Sequence, residues 1–178
     1  AEEGAPEGEE GGAELMLEEG LFTNVFPGYT PERVFGIHVW GGFPTGHIGY
    51  RKGPLMASSD KFEIKVKGVQ THGSRPWGGV DPIVTSAQII NSSQTIISRQ
   101  SDITKAPAVL SYGIVEGGVR NNIIPDEVTM IGTIRNFDMD IRADIHEKLE
   151  HTAKHVAMAN GAEAEVNIDL GYPVTVNN

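Results

Sequence analysis

The chain has 178 residues, 39% of them hydrophobic, which is enough for a real core, since roughly 70% of the surface of an unfolded chain this size is lost on folding. Its formal charge of -10 is uneven: eight of the 24 acidic residues are glutamates within the first 20 positions, where there is no Lys or Arg. This acidity, with no Lys/Arg cluster, argues against nucleic-acid and anionic-membrane partners, and the absence of cysteine excludes disulfides, thiolate nucleophiles and Cys-ligated zinc.

No apolar run approaches the ~18 residues of a membrane span. The chain opens on Ala and on charge, without the basic and apolar regions of a signal peptide, so its start reads as cut and the compartment stays open. Residues 11–20 predict a short helix closed by Gly20, with Leu15 and Met16 as its apolar side. A loop rich in Phe26, Pro27, Gly28 and Tyr29 follows. Val34 to Trp40 is almost continuously apolar, as expected of a strand buried on both faces, with His38 as its single polar side chain. The Gly/Pro-rich stretch to Asp60 reads as turns and a hairpin.

The pattern then changes. Phe62, Ile64 and Val66 alternate with Glu63, Lys65 and Lys67, which predicts a strand with one wet face. Asp81-Pro82 supplies an N-cap and a Pro at N1 for a helix to about Arg99, with Ile83, Ala87, Ile90 and Ile97 on one side. Ala108 to Val115 and Val128 to Phe137 read as strands. Asp140 to Ala159 reads as a helix with Ile141, Ile145, Leu149, Thr152 and Val156 on one stripe, ended by Asn160-Gly161. Alternation from Ala164 to Leu170 predicts a last strand. From residue 61 the order is thus β-α-β-β-α-β, the ferredoxin-like arrangement of an α+β domain.

Several residues could carry chemistry. Glu2-Glu3 is a carboxylate pair, though in a glutamate-rich segment such residues commonly face solvent. His38 reads either as a satisfied core histidine or as a nitrogen ligand beside a carboxylate. His72 lies in the strand-to-helix connection Thr71-His72-Gly73-Ser74-Arg75-Pro76-Trp77, where functional residues concentrate but where a histidine can also be incidental. Arg135, on the strand face opposite Ile134, reads as a surface ion-pair partner or as a planar fork for a carboxylate. Gly117-Gly118 is a poor phosphate cradle because no helix follows it. His47, His146, His151 and His155 read as surface residues.

Taken in order, the segments AEEG, EGGAELM, FGIHV, GPLMASSD, THGSRPW with GVDPIV, NNIIP and MIGTIRNF resemble the M20 metallopeptidases. The resemblance is to their aminoacylase-like amidohydrolase branch, which includes hippurate hydrolases. It implies residues 1–58 as part of an α/β zinc-peptidase-like catalytic domain, 59–173 as a ferredoxin-like lid or dimerisation domain, and 174–178 as the return to the catalytic domain. It implies two divalent metal ions, zinc or manganese, and hydrolysis of an N-acyl amino acid or small peptide by a metal-activated water. Glu2 is then the general base and acid, and Glu3 and His38 are metal ligands. His72 polarises the scissile carbonyl, usually from the partner subunit of a homodimer formed through the lid. Asn122 lies near the substrate, and Arg135 holds its carboxylate.

The family's earlier metal-binding block and its late histidine ligand have no counterpart in the chain. The expectation is therefore that these 178 residues bind metal weakly and hydrolyse nothing alone. A dimerisation module without catalysis, or a di- or tripeptidase of the same superfamily, are the alternative readings.

Overall fold

The computed structural model describes residues 12–24, 28 and 31–178. The chain divides into two units, Ala1–Tyr50 and Arg51–Asn178, each described by itself. In the first, the described secondary structure is a short helix, α1 (Gly12–Glu18), followed by Gly20 at φ 80°. Leu15 and Met16 are exposed rather than forming an apolar contact face. The loop expected at Phe26, Pro27 and Tyr29 lies outside the described residues.

Val34 to Trp40 does not form the expected strand. It runs as an irregular segment in which Val34 is 77% and Val39 89% exposed. An apolar run becomes a strand only when its N–H and C=O groups pair with neighbouring backbone, and no strand of the described residues pairs with this one.

The second unit is built from β1 (Gly53–Met56), β2 (Asp60–Lys67), β3 (Thr71–His72), α2 (Pro82–Thr95), β4 (Ala108–Gly117), β5 (Ile123–Ile124), β6 (Glu127–Asn136), α3 (Met139–Ala159), β7 (Glu163–Asp169) and β8 (Thr175–Asn177). β2, β4, β6 and β7 form one sheet in the order β4-β6-β2-β7, antiparallel at every pairing. This is the ferredoxin-like topology expected from the sequence, with both helices on one face. Phe62, Ile64 and Val66 of β2 are fully buried against them, each contributing about 1.5–3 kcal/mol. The other face of the sheet carries the charged residues of the alternation.

Gly132 of β6 lies directly between Phe62 and Tyr112 of the flanking strands. Their rings meet edge to face across it, with centroids 5.0 Å apart. A Cβ at position 132 would overlap the Phe62 ring and the Ser111 carbonyl, so the aromatic contact depends on glycine there. The Tyr112 hydroxyl is 2.9 Å from Ser93 Oγ, which ties β4 to α2.

Asp81 caps α2 as expected, accepting from the amides of Ile83 and Val84 at 2.9 and 3.1 Å. The buried face of α2 differs from the expected one. Thr85, Ser86, Ile89 and Ser93 are buried while Ile83 is 47% exposed, and the helix runs into a π-helical turn at Ile96–Gln100. Where α2 docks on α3 and the sheet selects that face, and its own weak apolar stripe does not. In α3 the expected stripe holds over Ile141, Ile145 and Leu149, which are buried; further along, Ala153 and Ala157 are buried while the expected Thr152 and Val156 are half-buried.

β1 and β8 pair antiparallel, Gly53 opposite Asn177 and Met56 opposite Thr175. Both chain connections of the ferredoxin-like unit therefore leave side by side, at the end of the sheet where β2 begins and β7 finishes.

Candidate functional site

At the opposite end of the sheet, β3 and β5 form a small ladder in which His72 is opposite Ile123 and Thr71 opposite Ile124. The Gly73 amide donates to the Asn122 carbonyl at 2.8 Å. His72 and Asn122, fifty residues apart in sequence, are thus brought side by side. Both are exposed.

The loop carrying His72 is locally determined. Val69 and Val80 exchange both backbone hydrogen bonds, at 2.9 and 3.0 Å, closing residues 69–80 into a ring. This closure requires glycine at 79, where a Cβ would overlap the Val69 carbonyl and the Thr71 side chain. Inside the ring the Arg75 amide donates to the His72 carbonyl at 2.8 Å, and the Thr71 hydroxyl donates to the Arg75 carbonyl at 3.2 Å. At the His72 ring, Nδ1 is 3.1 Å from the Ser74 amide and 2.7 Å from Ser74 Oγ. An open hollow of about 470 Å³ adjoins the ladder, lined by Gly73, Ile83, Val119, Arg120 and Ile123 among others.

Arg135 is not part of this cluster. It is half-buried near the far end of β6, where its guanidinium donates to Thr133 Oγ1 and to the Ile134 carbonyl. It lies eight residue steps along the strand from Glu127, about 27 Å at ~3.4 Å per residue, and the tip lies beyond Glu127. Within one copy of the unit, Arg135 stands at the root and His72 and Asn122 at the tip.

In the first unit, His38 is exposed, and its Nδ1–H donates to the Val39 carbonyl at 2.6 Å. Neutral imidazole then keeps its lone pair on Nε2. A backbone carbonyl on the second ring nitrogen is the usual outer partner of a metal-binding histidine, so His38 fits a nitrogen ligand. Glu2 and Glu3 lie outside the described residues. Among the described residues no three His, Asp or Glu side chains come together as a metal site.

A buried ionic network that the sequence did not predict lies at the root. Asp60 is 2% exposed. It accepts from Arg142 Nε at 2.8 Å and from Arg142 Nη2, from His146 Nε2 at 2.9 Å and from the Gly171 amide at 3.2 Å. Burial pushes the Asp60 carboxyl up, but the hydrogen bonds and charges of Arg142 and His146 outweigh it and hold it at about 2. His146 therefore serves this network and is not the surface residue its place on the polar side of the helix predicts. A signal was present: Asp60 shares the parity of Phe62, Ile64 and Val66, which places a carboxylate on the buried face.

A family model described as the peptidase dimerisation domain of the M20 family matches residues 57–160, which take in the ferredoxin-like unit from β2 through α3, all but its last strand. The chain belongs to the M20 peptidase family. It is 39% identical over 169 residues to thermostable carboxypeptidase 2 of Saccharolobus solfataricus, covering 94% of this chain and 41% of that protein. It is 35% identical over 167 residues to the N-acyl-L-amino acid amidohydrolase of Geobacillus stearothermophilus, covering 94% and 43%. Among solved structures it resembles a Bacillus subtilis protein described as a dinuclear metal-binding peptidase of the M20 family. That match has a TM-score of 0.61 and 34% identity, and covers 79% of this chain and 33% of the other. The chain thus spans about two fifths of the length of the curated relatives it matches.

Proposed function

We propose that the chain supplies the lid, residues 59–173, and part of the catalytic half of a metal-dependent amidohydrolase. Its substrates are N-acyl amino acids or small peptides that end in a free carboxylate. The carboxypeptidase and the amidohydrolase among its relatives are named for substrates that share this unit, an acyl group on the nitrogen of an amino acid with a free carboxylate. The observation that carries the reading is the tip, where a hydrogen-bonded loop presents His72 beside Asn122.

Glu3 and His38 would hold divalent metal, zinc or manganese, whose contribution when bound is to make a coordinated water acidic enough to attack near neutral pH. Glu2 takes a proton from the attacking water and returns it to the leaving amine. His72 donates a hydrogen bond to the oxygen that gains charge, Asn122 orients the acyl side, and Arg135 clamps the carboxylate through its planar fork. Such an assembly needs more than these 178 residues. The chain alone is expected to turn over no N-acetyl- or N-benzoyl-amino acid, which a direct assay checks.

The distance from root to tip supports action across a homodimer, Arg135 serving its own subunit's site and His72 the partner's. The dimer forms along the β4 edge, where Val109 and Val115 are exposed. The β7 edge carries Glu163, Glu165 and Asp169, and pairing two copies there opposes like charges.

In the full-length enzyme, His72→Ala is expected to lower kcat by about 10²–10³, and Arg135→Ala to be similarly impaired in kcat/KM. Mixing the two variants at equal amounts should restore about a quarter of wild-type activity, because half the dimers are mixed and each regains one intact site of two. No recovery on mixing overturns the shared site. Unchanged activity in His72→Ala favours a dimerisation module instead.

A further inference from the structure

The two ring nitrogens of His72 are in different situations. Nδ1 is approached at 3.1 Å by the Ser74 backbone N–H and at 2.7 Å by Ser74 Oγ. The amide can only donate, so Nδ1 carries a lone pair, and the hydroxyl, which can donate or accept, then donates as well. A neutral imidazole has one ring proton, and it is left on Nε2, which meets no hydrogen-bond partner among the described residues. The backbone makes this arrangement hard to escape. The Gly73 amide is held by Asn122 and the Arg75 amide by the His72 carbonyl, both at 2.8 Å, so the Ser74 amide between them is aimed at the ring. Thr71, the other nearby hydroxyl, is already committed to the Arg75 carbonyl.

We infer that Ser74 is a positioning residue that holds His72 as its Nε2–H tautomer. His72 is thereby a hydrogen-bond donor to the carbonyl oxygen of a bound amide, and it is unavailable as a proton acceptor. The second half of this statement rests on the reading, proposed above, that His72 faces the substrate. A ring locked in this way gains strength as the oxygen gains negative charge. It cannot take the proton of the attacking water, because its lone pair is turned inward onto Ser74. Proton transfer is thus left to a carboxylate, and the histidine's role is confined to the oxyanion.

Long-range proton–nitrogen NMR correlation of the histidine side chains in the 178-residue chain, at a pH where the rings are neutral, tests the tautomer without any activity. His72 should show a protonated Nε2 and an unprotonated Nδ1. Ser74→Ala should shift both nitrogens part of the way toward the tautomer-averaged position, since the hydroxyl is lost and the amide remains as donor, and Ser74→Thr should return them to the wild-type values. In the full-length enzyme, Ser74→Ala should lower kcat about two- to tenfold, the worth of one neutral hydrogen bond, with KM little changed and with rescue by Ser74→Thr. A protonated Nδ1 in the wild-type chain, or nitrogen shifts indifferent to Ser74→Ala, overturns the inference. A confirmed tautomer together with full activity of His72→Ala leaves the Ser74 contact standing and refutes the substrate-facing role.

Discussion

Replacing Asp60 by asparagine removes the carboxylate on which Arg142, His146 and the Gly171 amide converge. Asp60 is 2% and Arg142 7% exposed, so the variant leaves a guanidinium buried without its counter-charge, at a cost of about 3–5 kcal/mol. The titration of Asp60 gives an independent figure. A carboxyl held at about 2 in the folded protein against 3.8 otherwise contributes about 2.5 kcal/mol at neutral pH. Because the folded value is the lower one, this stabilisation is fully present above the unfolded value and is lost as pH falls from 3.8 through about 2. Either figure is a large share of a domain stability of about 5–15 kcal/mol. Urea denaturation followed by far-ultraviolet circular dichroism, which α2 and α3 dominate, reads both effects. Asp60→Asn should be less stable by about 3 kcal/mol near neutral pH, and the gap to wild type should narrow as pH falls through that window. A loss below about 1 kcal/mol, or two stability curves that stay parallel in acid, refutes the assignment of this network as a buried ionic lock.

Three further outcomes are expected. Gly132→Ala drives a methyl into the Phe62 ring and the Ser111 carbonyl; it should destabilise by about 1–3 kcal/mol, measured by the same urea titration. Tyr112→Phe removes the contact to Ser93, whose hydroxyl keeps its bond to the Ile90 carbonyl at 2.9 Å; the cost should be only about 0.5–1.5 kcal/mol. Val115→Glu, on the exposed β4 edge, should dissociate the dimer in light scattering while Asn167→Lys on the β7 edge should not. The opposite pattern moves the interface to β7.

Much of the lid was legible because its signals are local. The alternation around Phe62 and the stripe from Ile141 to Leu149 follow from the two- and 3.6-residue periods of the backbone, and Asp81-Pro82 marks a helix start by its own hydrogen-bonding. Val34 to Trp40 was not legible in this way: its apolar character is present, but among the described residues no strand pairs with it. Nor was the buried side of α2, because a helix of small and β-branched residues leaves the choice of face to whatever it packs against.

What the sequence determined by itself, then, was the order and type of elements and the chemical character of single residues, since these depend on neighbours within a few positions. Only the tertiary structure decided which residues act together. The β3–β5 ladder joins His72 to Asn122, the length of β6 holds Arg135 away from both, and Asp60 finds Arg142 and His146 more than eighty residues on. Such pairings are set by strand register and packing between distant segments, which no local period encodes.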